Sequence, residues 1–386
     1  MFTKEELLTV AQLKPPVLTI YLNTLRRDHS RFQTLSESTA WLHKRIDSIS
    51  RGLPLRDTRN FGRETQRIQD FLRARHPREK ALAIFSGPDT WKVIPLPGQV
   101  ENQIYWGRPA IGTLFRLLSE YKDYGVVVVD HHGARFFEYI AGQLVPLGAK
   151  EYRVDKSQWK RGDVAHVSSG LARKAQGPGR DLLNDRIEVQ YEHLCKEVAD
   201  QMWDFTRKLN FTGVLVVGPQ RLVGATGKNF PTSFQARVVL VPEDLVKLSA
   251  TKILRSLEPV IANCEAVRQL TEVKNVLAGM RGSIIEADEA IARLQGGTLR
   301  SILIAADREF HLQQCEKCDQ ISRSADNVCP VCGGQRRKVD LLDVLPQLAA
   351  TRGTEVEFVT GEAAQTLTKT GGIAGWERQY GKAAAG

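Results

Sequence analysis

The chain has 386 residues, a length that favours two or three domains over a single core. Its formal net charge of +10 and pI of about 9.3 favour a polyanionic partner such as nucleic acid, although charge can also serve solubility alone. No apolar stretch reaches the length of a membrane helix and no secretory signal pattern opens the chain, so we expect a cytoplasmic protein.

The first predicted domain covers residues 1–122. A short helical pattern is followed by a strand at 17–22, a helix that ends near Ile49 and a buried strand at 81–85. Because a basic turn between the first strand and that helix precedes a helix N-terminus, it is suited to contacting phosphates, with a plain solvated loop as the alternative. The candidate RNA-binding residues of this turn are Arg26, Arg27, His29 and Arg31.

The second predicted domain covers residues 123–272 and has an α/β pattern. It begins with an apolar strand at 126–130 and a hairpin at 134–147. The clearest helical pattern of the chain lies at 187–209, where apolar residues recur at steps of three and four. Strands then alternate with helical segments, which is typical of an α/β domain.

A polar stretch at 150–180 shows no sustained period and predicts a long loop inside this second domain. Cations and glycines occur together near its end, and such a loop lets a backbone approach an anionic ligand closely. A solvated loop is again the alternative, but two basic loops in a chain of this charge favour RNA. The candidate RNA-binding residues here are Arg173, Lys174, Gln176, Gly177, Gly179 and Arg180.

The third predicted domain covers residues 273–386 and repeats the α/β pattern, with a helix at 286–294 and a strand at 302–305. Four of the six cysteines of the chain lie in this domain with the spacing C-x2-C-x10-C-x2-C, which is typical of a closed tetrahedral zinc site. A redox pair or another metal is the alternative. The predicted ligands of the structural zinc are Cys315, Cys318, Cys329 and Cys332.

Three further motifs are interpreted as structural. Residues 333–335 read Gly-Gly-Gln, but they follow a cysteine turn in which glycines usually serve backbone geometry. The glycine-rich residues 224–229 lack both the first glycine and the Ser/Thr of a nucleotide-binding P-loop. The pair at 131–132, two histidines after a strand, has no accompanying metal-ligand or catalytic pattern.

In the order of these pieces, the chain resembles the archaeo-eukaryotic class-one release factor and Pelota family. The resemblance is to its bacterial branch, which includes ribosome hibernation factors of the Balon type. It is strongest in the third domain, through the strand at 301–307, the two cysteine pairs and the Gly-Gly-Ile-Ala segment within 368–380. The middle domain matches in its apolar opening strand and in a basic loop leading into a long helix with Arg186, Tyr191 and Lys196.

The resemblance implies a three-domain α/β protein whose third domain is L7Ae/L30e-like and carries the zinc knuckle at 315–332. It also implies binding to the ribosomal A site, a monomer when off the ribosome, and a partner such as a translational GTPase. The first domain would face the decoding centre and the middle loop the peptidyl-transferase centre.

Two departures from the family argue against stop-codon termination. The middle loop reads Gly177-Pro178-Gly179 where release factors carry Gly-Gly-Gln, and the first domain lacks the family's Asn-Ile-Lys-Ser element. We therefore expect a ribosome-binding factor of hibernation or rescue that is not an enzyme. Residual peptidyl-tRNA hydrolysis and ribosome-independent RNA binding are the alternatives.

Overall fold

The computed structural model describes residues 4–24, 34–74, 79–98, 100–152, 178–306 and 311–378. The chain divides into two units, of which the discontinuous unit combines Met1–Tyr121 with Val260–Gly386 and the middle unit is Lys122–Pro259. Each of the three predicted domains contains its own sheet, and the exact three-domain division stays a prediction. No helix in the described ranges is long and apolar enough to cross a membrane.

The N-terminal part of the discontinuous unit contains a four-stranded antiparallel sheet in the order β3-β2-β1-β4. The predicted strands at 17–22 and 81–85 are confirmed as β1 and β2, and the helix ending near Ile49 as part of α2. The elements are α1 (Lys4–Ala11), β1 (Val17–Asn23), α2 (Thr34–Gly52), α3 (Leu55–Ala74), β2 (Ala81–Gly87), β3 (Thr90–Leu96), β4 (Gln103–Gly107) and α4 (Gly112–Glu120).

Strand β1 is buried on both faces because its successive side chains enter two different cores. Leu18 and Ile20 pack with Phe61 and Ile68 of α3. Val17 and Tyr21 point to the opposite core, and the Tyr21 hydroxyl donates a hydrogen bond of 2.6 Å to a backbone carbonyl just before α4. This two-sided burial explains the continuous apolar run in the sequence.

The C-terminal part of the discontinuous unit contains a sheet in the order β10-β16-β11-β15, in which β11 and β15 are parallel. A small three-stranded sheet, β13-β12-β14, is inserted after β11. The elements are α8 (Ala250–Leu277, which begins in the middle unit), β10 (Ser283–Ile284), α9 (Ala287–Gln295), β11 (Leu299–Ala305), β12 (His311–Cys315), β13 (Ile321–Ser322), β14 (Arg336–Asp340), α10 (Leu341–Arg352), β15 (Glu355–Val359), α11 (Gly361–Thr368) and β16 (Ile373–Glu377).

The two parts of the discontinuous unit share one hydrophobic core. Tyr21 and Phe85 from the N-terminal sheet belong to the same buried cluster as Ile302, Leu345 and Phe358. Polar contacts accompany this packing, since the backbone N–H of Phe358 donates to a serine hydroxyl of α4 at 3.1 Å. Residues far apart in sequence therefore stabilise each other within this unit.

The middle unit has a mixed sheet in the order β7-β6-β5-β8-β9, with β5, β8 and β9 parallel to one another. Its core lies between this sheet and the long helix α5, where Met202 packs with Val127, Phe136 and Val216. The elements are β5 (Tyr124–Asp130), β6 (Gly133–Ile140), β7 (Gln143–Glu151), α5 (Pro178–Leu209), β8 (Gly213–Val217), α6 (Gln220–Lys228), α7 (Thr232–Gln235) and β9 (Val238–Val241).

The loop predicted at 150–180 is too long at both ends, and at its start strand β7 continues to Glu151. Helix α5 begins at Pro178, so residues 178–180 are helical and that part of the prediction is wrong. Proline is favoured in the first turn of a helix because its missing N–H has no partner there in any case. Residues 153–177 lie outside the described ranges.

Candidate zinc centre and predicted RNA-binding loops

The four cysteines predicted as metal ligands converge on one point. Their Sγ atoms all lie within 4.8 Å of one another. The Sγ atoms of Cys315 and Cys332 are 3.4 Å apart, and those of Cys318 and Cys329 are 3.6 Å apart. A tetrahedral zinc with Zn–S bonds of about 2.3 Å separates its sulfurs by about 3.8 Å. The convergence of the four ligands is therefore confirmed, and the cluster has the size needed to hold a metal ion.

Each cysteine pair begins a turn with the same backbone geometry. In each turn, the carbonyl of the first cysteine accepts a hydrogen bond from the N–H four residues later, at 3.1 and 2.9 Å. The N–H of the same cysteine donates to the carbonyl five residues later, at 2.9 and 2.8 Å. The residue after each second cysteine, Asp319 or Gly333, has a left-handed backbone with φ of +58° or +68°. Two matched turns thus present four sulfurs from opposite sides.

The Gly-Gly-Gln at residues 333–335 has a structural explanation within this geometry. Gly333 adopts the left-handed conformation that closes the second turn. A Cβ atom on Gly334 would lie 3.1 Å from Sγ of Cys315 and 3.0 Å from Cβ of Lys317, closer than side chains normally approach. Both glycines therefore have a structural explanation in the cysteine cluster, as the sequence interpretation expected.

The thiols of the cluster do not ionise alike. For Cys329, burial acts to raise the pKa, but backbone N–H groups of Cys332 and Val331 outweigh it and lower the pKa to about 6. For Cys318, a backbone N–H of Gln320 acts to lower the pKa, but the neighbouring thiols raise it to about 12. Thiolates this close repel one another, and a divalent cation would remove that repulsion.

The small sheet that carries the cysteines, residues 311–340, is called the zinc lobe below. The side-chain amide of Gln295 at the end of α9 pairs with the backbone of Ile321, donating at 3.0 Å and accepting at 2.9 Å. Asp319 also forms an ion pair of 2.9 Å with Arg108, which follows β4. Sequence reasoning missed both contacts because a single glutamine or arginine carries no local pattern.

The predicted RNA-binding residues fall almost entirely outside the described ranges. Of the second loop, Gly179 lies within the first turn of α5, and Arg180 follows it in the same helix. Their role as RNA ligands stays a prediction. The residues outside the described ranges are Arg26, Arg27, His29, Arg31, Arg173, Lys174, Gln176 and Gly177.

The hairpin that leads into the second loop ends on helix α5. The hydroxyl of Tyr152, the last described residue before the loop, donates a hydrogen bond of 2.8 Å to the carbonyl of Gln190. The rings of His131 and Tyr191 lie 4.8 Å apart between centroids, so that this histidine packs against α5. Among the described residues, the group that could hold a metal ion is the four-cysteine cluster, and His131 is not part of it.

The glycine-rich residues 224–229 lie in helix α6 and at its C-terminus, which agrees with their rejection as a P-loop. Gly227 packs closely against β9, since a Cβ there would lie 2.6 Å from a terminal methyl carbon of Leu240, which would have to move aside. Gly224 has no such neighbour, because a Cβ there would meet nothing within 4 Å.

Comparison with protein families matches residues 109–260 to the model described as "Bacterial archaeo-eukaryotic release factor family 10". Comparison with curated proteins gives no match.

Several solved structures are similar over nearly the whole chain. The archaeal translation termination factor aRF1 has 17% identity, covers 98% of both chains and has a TM-score of 0.25. Archaeoglobus fulgidus Pelota has 11% identity, 97% coverage of this chain, 92% of its own and a TM-score of 0.35. A model of ribosome-bound archaeal Pelota and ABCE1 gives 14% identity, 97% and 94% coverage and a TM-score of 0.40.

The family match begins before the middle unit, at residue 109, and extends through all of it to residue 260. It includes the opening strand β5 and the long helix α5, two of the features of this domain that carried the resemblance in the sequence. The match to the family model therefore covers the middle unit, and it confirms the family resemblance predicted from the sequence.

Proposed function

We propose that this protein is a cytoplasmic, ribosome-binding translation factor that occupies the A site without terminating translation, in ribosome hibernation or rescue. The observation that carries the proposal is the release-factor family domain at 109–260, which includes the long helix α5. Just before and within the first turn of that helix, the sequence has Gly-Pro-Gly at residues 177–179 instead of a catalytic Gly-Gly-Gln.

A Gly-Gly-Gln does occur elsewhere in the chain, but its surroundings do not suit catalysis. It belongs to the second cysteine turn, where Gly333 closes the turn and Gly334 leaves room for the sulfur of Cys315. The chemistry of peptide release requires a loop that can approach the peptidyl-tRNA ester. Here both glycines are accounted for by the cysteine cluster, which supports a role without peptide release.

We further propose that the four cysteines hold a structural zinc ion. All four ligand positions of a tetrahedron are taken by sulfur, which leaves no open position for water or substrate. Zinc would supply the charge that allows four close thiolates to coexist and would fix the two turns of the zinc lobe. The zinc ion would therefore stabilise the shape of the zinc lobe, and we assign the RNA contacts to the two basic loops.

Cosedimentation with ribosomes from resting cells tests the ribosome-binding proposal. We expect the full-length protein to pellet with ribosomes, and we expect replacement of Arg26, Arg27 and Arg31 by glutamine to weaken binding. Each lost phosphate contact should reduce the slope of log K against log salt by about 0.7 to 0.9. A matched control replaces three exposed arginines of α2 and α3 by glutamine, namely Arg51, Arg59 and Arg63.

Two results would overturn the proposal. Failure of the wild-type protein to bind at any salt concentration that keeps ribosomes intact would exclude a ribosomal function. Equal weakening by the two triple variants would remove the assigned role of the first basic loop, because net charge alone would then explain binding. Release of labelled peptide from stalled ribosomes, abolished by substitution of residues 176–179, would instead favour peptidyl-tRNA hydrolysis.

A further inference from the structure

A groove of about 640 Å³ runs between helices α5 and α6 in the middle unit. On α5, Val189, His193 and Lys196 line it at steps of four and three residues, so they share one helix face. On α6, Arg221 and Lys228 line it, seven residues apart. The opposite face of α6 is buried against the sheet, so the face that carries Arg221 and Lys228 is the one that lines the groove.

The walls of the groove are rich in cations. Lys196 and Lys228 are exposed, and within the described part of the chain neither ammonium group has an ion-pair partner. Arg221 forms an ion pair of 2.6 Å with Glu188, which holds its guanidinium beside α5. Glu192 is the one acidic side chain among the lining residues. With Glu188 counted beside Glu192, three cations face two carboxylates, and the unpaired positive charge lies on Lys196 and Lys228, which suits an anionic ligand.

The floor of the groove contains a glycine that the fold does not require. Gly224 lies inside α6, has no positive φ, and would meet nothing within 4 Å if it carried a Cβ. A glycine in a helix interior is less favourable than alanine, so a position of this kind costs stability without a packing reason. Together with Ala225 it keeps the floor low between the cationic walls, where a backbone could approach closely.

We propose that this groove binds the sugar–phosphate backbone of RNA. Lys196, Lys228 and Arg221 contact phosphates, and Gly224 admits the strand to the floor of the groove. Contacts to phosphates position a protein on nucleic acid without reading sequence, which suits the repetitive surface of folded RNA. The assignment of ribosomal RNA as the natural ligand rests on the proposed function, while the RNA-binding groove itself does not.

Two double variants of the full-length protein test the cationic walls. Replacing Lys196 and Lys228 by glutamine should weaken ribosome binding about tenfold or more at moderate salt. It should also reduce the salt slope by about 1.5, as expected for two lost phosphate contacts. The matched control replaces Lys247 and Lys252, two exposed lysines of the same unit outside the groove, and should change binding by less than twofold.

A glycine substitution tests the floor of the groove. Gly224→Ala should raise the melting temperature by about 2 to 4 °C, because alanine favours the helix, and should weaken RNA binding several-fold. A merely structural glycine would show the first effect without the second. Gly62→Ala in α3, a helical glycine whose Cβ would also be free of contacts, should stabilise the protein and leave binding unchanged.

Measuring binding of the protein to fluorescein-labelled poly(U) as well as to ribosomes tests the groove proposal and the proposed function separately. If the protein binds poly(U) through the groove but does not bind ribosomes, the groove proposal is retained and the proposed ribosomal function is overturned. If ribosome binding is unchanged in the groove variants, or is weakened equally in both lysine pairs, the groove proposal is overturned. The proposed ribosomal function would then still stand. Polyglutamate that competes as well as poly(U) would show an acidic-peptide surface and would also overturn the RNA assignment.

Discussion

A carboxyl group on helix α10 gives the protein a predictable pH dependence. Burial raises the pKa of Asp343 from its ordinary 3.8 to about 6, and the charge of nearby Asp340 adds to the rise. Asp340 caps α10, its carboxylate accepting from the N–H of Leu342 at 2.8 Å. The cleft beside Asp343 is also lined by Tyr105, Arg108, Asp319 and Arg337. Replacing Asp343 by asparagine removes the titration and keeps the shape of the side chain.

The sign follows from which state holds the proton. Between about pH 4 and pH 6, the folded protein keeps Asp343 protonated while the unfolded chain has released that proton. Stability therefore falls as the pH rises through this window, and the loss is complete above pH 6. The difference between the ordinary pKa of 3.8 and the raised pKa of about 6 corresponds to about 3 kcal/mol. Because the side chain keeps some contact with water, we expect about 1 to 3 kcal/mol.

Urea unfolding at two pH values measures this effect. Asp343→Asn should stabilise the discontinuous unit by about 1 to 3 kcal/mol at pH 8 and by clearly less at pH 4.5. Hydrogen exchange of α10 assigns the change to this unit. Asp340→Asn should give a smaller gain in stability, because it removes only the repulsion between the two carboxylates. The helix cap is kept, since asparagine caps a helix as well as aspartate. Asp89→Asn, in the exposed β2–β3 turn, should give none.

The reasoning would be refuted by an equal effect of Asp343→Asn at both pH values. A loss of stability at pH 8 would refute it as well, since the carboxylate would then make favourable contacts that the buried, repelled group is not expected to make.

Three further predictions concern the discontinuous unit. Removing the metal with a chelator should increase hydrogen exchange at residues 315–335 and leave the other elements protected, and global unfolding would contradict this. Gly334→Ala should lower zinc affinity in a competition titration, since its Cβ would crowd Cys315, and unchanged affinity would show that the turn can relax. Tyr21→Phe should lower the free energy of unfolding by about 1 to 2 kcal/mol, because the buried carbonyl of Ala110 loses its donor, and a neutral result would mean that water replaces it.

Elements with a strong local signal could be predicted from the sequence. The apolar runs of β1, β2, β5 and β8 are buried strands, and the stripe at 187–209 lies within α5. Helix α3 was missed because few of its residues are apolar and its buried side chains, Phe61, Ile68 and Leu72, are widely spaced. Strands β3 and β4 were missed as well, since both are only partly buried and lack a continuous apolar run.

In the candidate site, too, features with a local sequence signal could be predicted and features that depend on tertiary packing could not. Cysteine spacing is a local signal, and it identified the four cysteines whose sulfurs converge. The contact of Gln295 with Ile321 joins residues 26 positions apart and depends on how α9 packs, which no short pattern records. The groove between α5 and α6 had a readable signal, because Val189, His193 and Lys196 recur at helical steps. This spacing indicates a groove only when α6 is known to lie beside that face of α5.

The core shared by the N- and C-terminal parts has a consequence for synthesis. Val17, Tyr21 and Phe85 leave the ribosome early, but their core partners Leu345 and Phe358 are made near the end of the chain. The middle unit is continuous in sequence and can fold while translation continues. The apolar surface of the N-terminal part must therefore wait for these partners during most of synthesis, and a chain truncated before α10 would lack them permanently.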